Sequence, residues 1–343
     1  MSGRVRLARL TDLAALGELS RLSQQDHLDA RSLGLPLSGP RIGVFSLFRL
    51  PLGAFRPNDL LFVYEDERRL SGLLRVERDG SRDEMTIVEL DAIGSGESGD
   101  IRFRLVQHLL RDGPRRGTVR FHVACADGMG NVELFMQAGF ARYGQEQLMF
   151  REPAAALPAT WTEASAREAG IRPCQPLDSL QLARLYAAVT PAPVARLEAY
   201  RLPDWERQGS TARIPRSSLA PILRFADVET FVLEQEGDGT GALAALMQVG
   251  VAREDHPHYL KIIASPSANV DPLIDFGLGL IRGRIHRGGG CPDTGVLAPV
   301  RTYESPLDRR LEDAGFASLA TVTLLMKEAM VRVAEPALVP AVR

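Results

Sequence analysis

Cysteine is scarce in this chain: Cys125, Cys174 and Cys291 are the three among 343 residues. None pairs at the roughly two- to four-residue spacing of a zinc site, and three scattered thiols make no disulfide framework, so they are expected to be free. An excess of one charge is lacking too. With 41 Lys and Arg against 43 Asp and Glu the formal net charge is −2, which argues against a sequence-independent nucleic-acid binder, whose basic residues must neutralise phosphate. Long apolar runs are also missing. No stretch approaches the roughly eighteen apolar residues that cross a bilayer, and "MSGRVRLARL" has no apolar core followed by a cleavage site. These absences predict a cytoplasmic protein with neither a membrane nor a nucleic-acid partner.

What is present is ordinary globular material, 45% hydrophobic and 24% charged, in a chain long enough for two domains. Arginine far outnumbers lysine, a coding bias more than a functional signal. The informative feature is a repeat. "QAGFARYGQEQLMFRE" closes at Glu152 and "DAGFASLATVTLLMKE" at Glu328. "VRLARLTDLAALGEL" from Val5 lies over "IRPCQPLDSLQLARL" from Ile171, and "FVYEDERRLSG" from Phe62 over "FVLEQEGDGTG" from Phe231. The offset drifts by only about ten residues, as a duplication requires.

In the first copy, patterning predicts a strand over 5–8, a helix from Leu13, strands over 60–64, 72–77 and 85–93, and a glycine-rich loop. A helix over 101–110, a strand over 118–124, a short helix over 132–137 and a strand over 146–151 follow. The second copy predicts the same order: a strand at Ile171, a helix from Leu180, a hairpin over 231–249 and a strand over 258–264. It continues with a helix over 272–284, a strand over 294–298, a helix over 307–314 and a strand over 321–327. Asp12 and Asp178 stand where helix N-caps are expected. Gly139 and Gly315 end their helices in the left-handed conformation. The organisation is therefore α/β (α+β): an N-terminal domain 1–152, a linker 153–169, a C-terminal domain 170–330 and a tail 331–343.

This element order, with "ELFMQAGF" and "RRLEDAGF" before the last strands, resembles the GNAT superfamily of acyl-CoA-dependent N-acyltransferases in tandem. The resemblance implies two domains, each a central mixed, mostly antiparallel sheet flanked by helices. It implies acetyl-CoA or another acyl-CoA as co-substrate, a small-molecule amine as acceptor and no metal. The family's phosphate loop reads Gln or Arg, two residues, Gly, one residue, then Gly or Ala; registering the helix "IRFRLVQHLL" puts Glu97, Asp100 and Arg102 at those positions. The family's acid, a Tyr four residues before the Gly of Gly-Phe, is replaced by Phe135 and Leu311.

The candidate catalytic residues are accordingly Glu89 and Asp91, which alternate onto one face of the fourth strand, and Tyr143, just beyond Gly139. The resemblance makes Ala92, Ile93, Gly94, Gly96, Gly99 and Arg102 the candidates for holding acyl-CoA. "GSGESG", from Gly94 to Gly99, also satisfies G-x-G-x-x-G, but it follows antiparallel hairpins where a dinucleotide fold needs an early parallel unit. His122 and Cys125, near the fifth strand, are secondary candidates. His256 and His258 have no third ligand nearby for a metal, and Lys261 and Tyr303 are unspecific. The second copy, with Pro266 and Pro272 removing backbone donors, is the poorer acyl-CoA site. Phe45, Leu47, Phe48, Leu50 and Phe55 lie in a long insert before the first hairpin, where a cover over an apolar cavity is one reading and plain sheet packing the other. Two functions fit: an acyltransferase with the first copy active, or a non-catalytic duplicated scaffold that binds another small molecule or a protein.

Overall fold

The computed structural model describes residues 3–26, 59–67, 69–79, 83–93, 98–126, 130–153, 158–206, 225, 228–235, 242–252, 257–291, 294–304 and 306–329. The first copy comprises β1 (Arg4–Leu7), α1 (Leu13–Asp26), β2 (Asp59–Asp66), β3 (Arg69–Asp79), β4 (Glu84–Ala92), α2 (Ser98–Asp112), β5 (Arg120–Ala126), α3 (Asn131–Gln137) and β6 (Ala141–Arg151). After α4 (Glu163–Glu168) the second copy runs β7 (Ile171–Pro173), α5 (Ser179–Val189), α6 (Ala192–Glu198), α7 (Leu202–Glu206), β8 (Val228–Glu234), β9 (Leu243–Gly250) and β10 (His258–Ala264). It closes with α8 (Asp271–His286), β11 (Val296–Arg301), α9 (Leu307–Asp313) and β12 (Ala317–Glu328). The apolar insert residues, His256 and the tail lie outside the described residues. The stretch expected to be a plain linker contains α4, which starts where Thr162 accepts a hydrogen bond from the Ser165 amide.

The twelve strands of the described residues form one sheet in the order β1-β2-β3-β4-β5-β12-β6-β11-β10-β9-β8-β7. Pairing is antiparallel except for β4 with β5 and β10 with β11. The two last strands are exchanged. β12, from the second copy, pairs with β5 of the first, and β6, from the first, pairs with β11 of the second. β6 and β12 also pair with each other, so the repeat boundaries near 152 and 170 divide the sequence but not the sheet. Val322 and Leu325 of β12 are buried in the core beneath α2, while Met149 of β6 joins the core beneath α8. Each such side chain contributes about 1.5–3 kcal/mol by leaving water, so each copy's core depends on the other's last strand.

The duplication is also visible in side chains. Arg6 donates to both oxygens of Asp12 and to Glu65; Arg172 donates to both oxygens of Asp178 and to Glu234. Both aspartates end a 3-10 turn and reach back to the amides of Arg9 and Gln175. They therefore close the turn from its far end and do not cap forward into the helix. Gly139 and Gly315 have φ of 88° and 86°, and the amides of Phe140 and Phe316 return to the carbonyls of Phe135 and Leu311. Both short helices thus end in the left-handed cap that glycine adopts without a Cβ penalty. The sheet's outer edges, β1 and β7, are kept to four and three residues and carry arginines, which blunts edge-to-edge association.

Candidate functional site

In both copies the parallel pair separates partway along. β4 and β5 are in register from Glu84 with Arg120 to Ile87 with Val123, after which β4 continues to Ala92 without β5 beside it. β10 and β11 stay together only from His258 with Val296 to Tyr259 with Leu297. Each separation leaves, among the described residues, a stretch of strand with no second strand beside it, where backbone amides and carbonyls can take a partner.

The first opening has a bulge at its mouth. Arg75 faces Glu89 and Val76 faces Ile87, so Val88 is an extra residue in β4, and a bulge re-aims the strand that carries it. The Ile93 amide donates to Ser71 of β3; strand alternation then turns the amides of Leu90 and Ala92 toward the opening. Of the two strand residues expected to hold acyl-CoA, Ile93 has its amide bonded to β3 and Ala92 ends β4. Glu89 and Asp91 are both buried and share the sheet face covered by α1, where Leu16 and Leu19 pack with Leu73 of β3. Glu89 lies 3.4 Å from the Arg75 guanidinium.

Two of the residues expected to hold acyl-CoA, Gly99 and Arg102, belong to α2. Gly99 is in the helix's first turn; Gly94, Gly96 and Glu97 fall outside the described residues. Asp100 is paired with Arg104 at 2.7 Å, which offsets the carboxylate at the helix start. Arg102 turns inward and donates to the Asn131 side chain; burial lowers its pKa, against the pull of Asp91. Arg102, on α2, is therefore tied to α3 through Asn131.

Tyr143 is on β6, at a bulge of its own between the Leu324–Gly144 and Leu325–Arg142 pairs. Its ring meets the edge of His122 at 6.3 Å and lies 6.0 Å from the Arg301 guanidinium. The structure thus brings Tyr143 to the seam between the copies, beside His122 and Arg301. His122 Nε2 is 3.8 Å from Glu84, and Cys125 is in the core beneath α2. Phe135 is fully buried, edge-on to Phe140 at 5.3 Å, and Leu311 is buried likewise.

The second opening is built differently. Phe62 pairs with Leu74 in the first copy and Phe231 with Met247 in the second, so Arg75 corresponds to Gln248, and their partners Glu89 and Lys261 to each other. β9 and β10 run from Tyr259–Gly250 to Ala264–Ala245 without a bulge. Lys261, 2% exposed, crosses the separation to the Pro299 carbonyl of β11 and to Glu304 at 2.7 Å. The opening that holds a carboxylate in one copy is bridged by an ammonium in the other. Beside it Arg301 is fully buried between Glu146 at 2.9 Å and Glu198 at 2.8 Å. Burial works against its charge, but the two carboxylates outweigh it and its pKa is raised. Nothing in the sequence pattern marked this cluster, because its members come from β6, α6 and β11. His258 is also fixed: Nδ1 accepts from the Ala252 amide, and Nε2 faces the Cys291 carbonyl and the Thr294 hydroxyl.

A cavity of about 590 Å³ lies at the other end of β5, lined by Leu110, Pro114, Leu197 and Met326 among others, away from either opening. Among the described residues no group of three or more His, Cys, Asp or Glu is gathered for a metal, and no helix is long and apolar enough to cross a membrane.

No protein-family model matches the chain, and no curated protein sequence matches it. Solved structures do. A tandem GNAT protein from the clavulanic acid biosynthesis pathway, solved without acetyl-CoA, aligns over 95% of this chain and 98% of its own at 14% identity, with a TM-score of 0.56. A GCN5-related N-acetyltransferase from Sphaerobacter thermophilus aligns over 95% of both chains at 13% identity, with a TM-score of 0.52. At this identity the likeness speaks to fold. The chain carries the GNAT fold twice, in tandem and in one continuous sheet.

Proposed function

We propose that the chain is an acyl-CoA-dependent N-acyltransferase that works at the opening of the first copy. The observation that supports this reading is the asymmetry between the openings: a bulged strand with Glu89 and Asp91 at one, the Lys261 bridge at the other. The thioester arm of acyl-CoA pairs with the backbone edge that β4 offers at Leu90 and Ala92, and an amide there polarises the thioester carbonyl. Glu89, or Asp91 beside it, takes a proton from the acceptor ammonium. The freed nitrogen forms the new C–N bond, the C–S bond breaks, and the thiolate takes up the second nitrogen proton, so one proton is released per turnover. Most of the acceleration comes from holding the two reactants together.

Calorimetry with acetyl-CoA and longer acyl-CoAs tests the reading. One molecule bound per chain is expected, with transfer to an amine reduced at least about 100-fold in Glu89→Gln. No heat of binding at millimolar ligand would overturn it. Acyl-CoA bound without transfer to any amine would favour the non-catalytic scaffold, the reading to which the buried Phe135 and Leu311, in place of an acid, lend support.

A further inference from the structure

The pairing of Arg75 with Glu89 is not required by the fold, since the second copy has Gln248 and Lys261 at the same register. Arg75 is also incompletely satisfied. Its Nε and Nη2 are buried and have no hydrogen-bond acceptor among the described residues. The Glu89 contact at 3.4 Å is an ion pair, and its geometry falls short of a hydrogen bond. Arg120 lies by Glu84 and Glu328, and Arg102 belongs to α2, where it donates to the Asn131 side chain. The Arg75 side chain is 16% exposed as a whole although Nε and Nη2 are buried, so an arginine held beside a carboxylate reaches the surface with part of its fork, which suits a ligand bearing a planar anion.

We propose that Arg75 anchors the acceptor, and that the acceptor is an amine with a carboxylate close to its nitrogen, an α-amino acid being the simplest case. The assignment rests on the acyl-transfer reading above. A zwitterion presents an ammonium and a carboxylate a few ångströms apart. Arg75 and Glu89 present the complementary charges at a like spacing, on the face that carries α1. The carboxylate binds the guanidinium and the ammonium lies against Glu89, which puts the proton to be removed beside the group that removes it.

The test compares alanine, phenylalanine and lysine with ethylamine, phenethylamine and cadaverine, by release of free thiol from acetyl-CoA. The amino acids are expected to be used and their carboxylate-free counterparts to be poorer by about tenfold or more, the size of one charge-assisted contact. In Arg75→Gln the KM for the amino acid rises by about the same factor and the gap to the matched amine closes, while acetyl-CoA affinity stays within about twofold of the parent chain. Arg75→Lys, with charge but no fork, falls between. Equal use of both series by the parent chain, transfer confined to the carboxylate-free amines, or acetyl-CoA bound with neither series used would each overturn the anchor and leave acyl-CoA binding intact. Failure to bind acetyl-CoA at all would instead remove the acyl-transfer reading.

Discussion

Asp12 and Asp178 each accept from an arginine, close a turn and recur at equivalent positions. The Arg6 hydrogen bonds hold Asp12 below the ordinary carboxylate range. For Asp178 burial pushes the other way, and the Arg172 and Gln175 hydrogen bonds prevail. Both folded pKa values are depressed, so the stabilisation is complete above the unfolded value of 3.8 and is lost as pH falls through the folded values. Asp12→Asn is expected to cost about 1 kcal/mol at neutral pH, discounted for partial exposure, and to lessen the acid sensitivity below that value. Thermal melts from neutrality down to about pH 2 check this; an unchanged acid limb in the variant would mean that Asp12 is not linked. The carboxylates were legible in the sequence because turn chemistry is local. The closing role was not, because it depends on where β1 meets the turn.

At the level of elements, α8 shows how magnitudes decide a substitution. Gly279 is interior to the helix, where alanine is favoured by about 1 kcal/mol. A Cβ there meets the Ala159 carbonyl oxygen at 2.7 Å, a backbone atom with little freedom to retreat. Gly279→Ala is therefore expected to lower the urea midpoint, the clash costing about 1–3 kcal/mol against the gain. A raised midpoint would show that the segment near Ala159 moves aside. The helix itself was plain from its apolar period, whereas α6 and α7 were missed. Pro191, Pro193 and Pro203 give that stretch the look of a loop, yet proline is tolerated in a helix's first turn, where its missing amide is no loss.

For the whole molecule, the exchanged strands make the copies interdependent. With β12 in one core and β6 in the other, neither is expected to unfold alone. Trp161 and Trp205, the chain's two tryptophans, pack in the second copy's cores, Trp205 2% exposed, while far-UV circular dichroism reports both copies. The two transitions in urea are expected to coincide, as a single cooperative unit requires. A fluorescence transition displaced from the circular-dichroism one would show that the copies melt separately.

The sequence by itself determined the duplication, the order of the elements that the two copies share and the left-handed helix ends, since periodicity and turn chemistry are written into neighbouring residues. It also singled out Glu89 and Asp91 as carboxylates in a strand. The tertiary structure alone decided which sheet each last strand joins. "ARYGQEQLMFRE" and "ASLATVTLLMKE" have similar apolar patterns, so either edge accepts either strand, and the choice rests on pairing between segments far apart in the chain. The Lys261 bridge and the Arg75–Glu89 pair have the same origin. Their charges were visible from the start, but only the cross-strand register set one opening against the other.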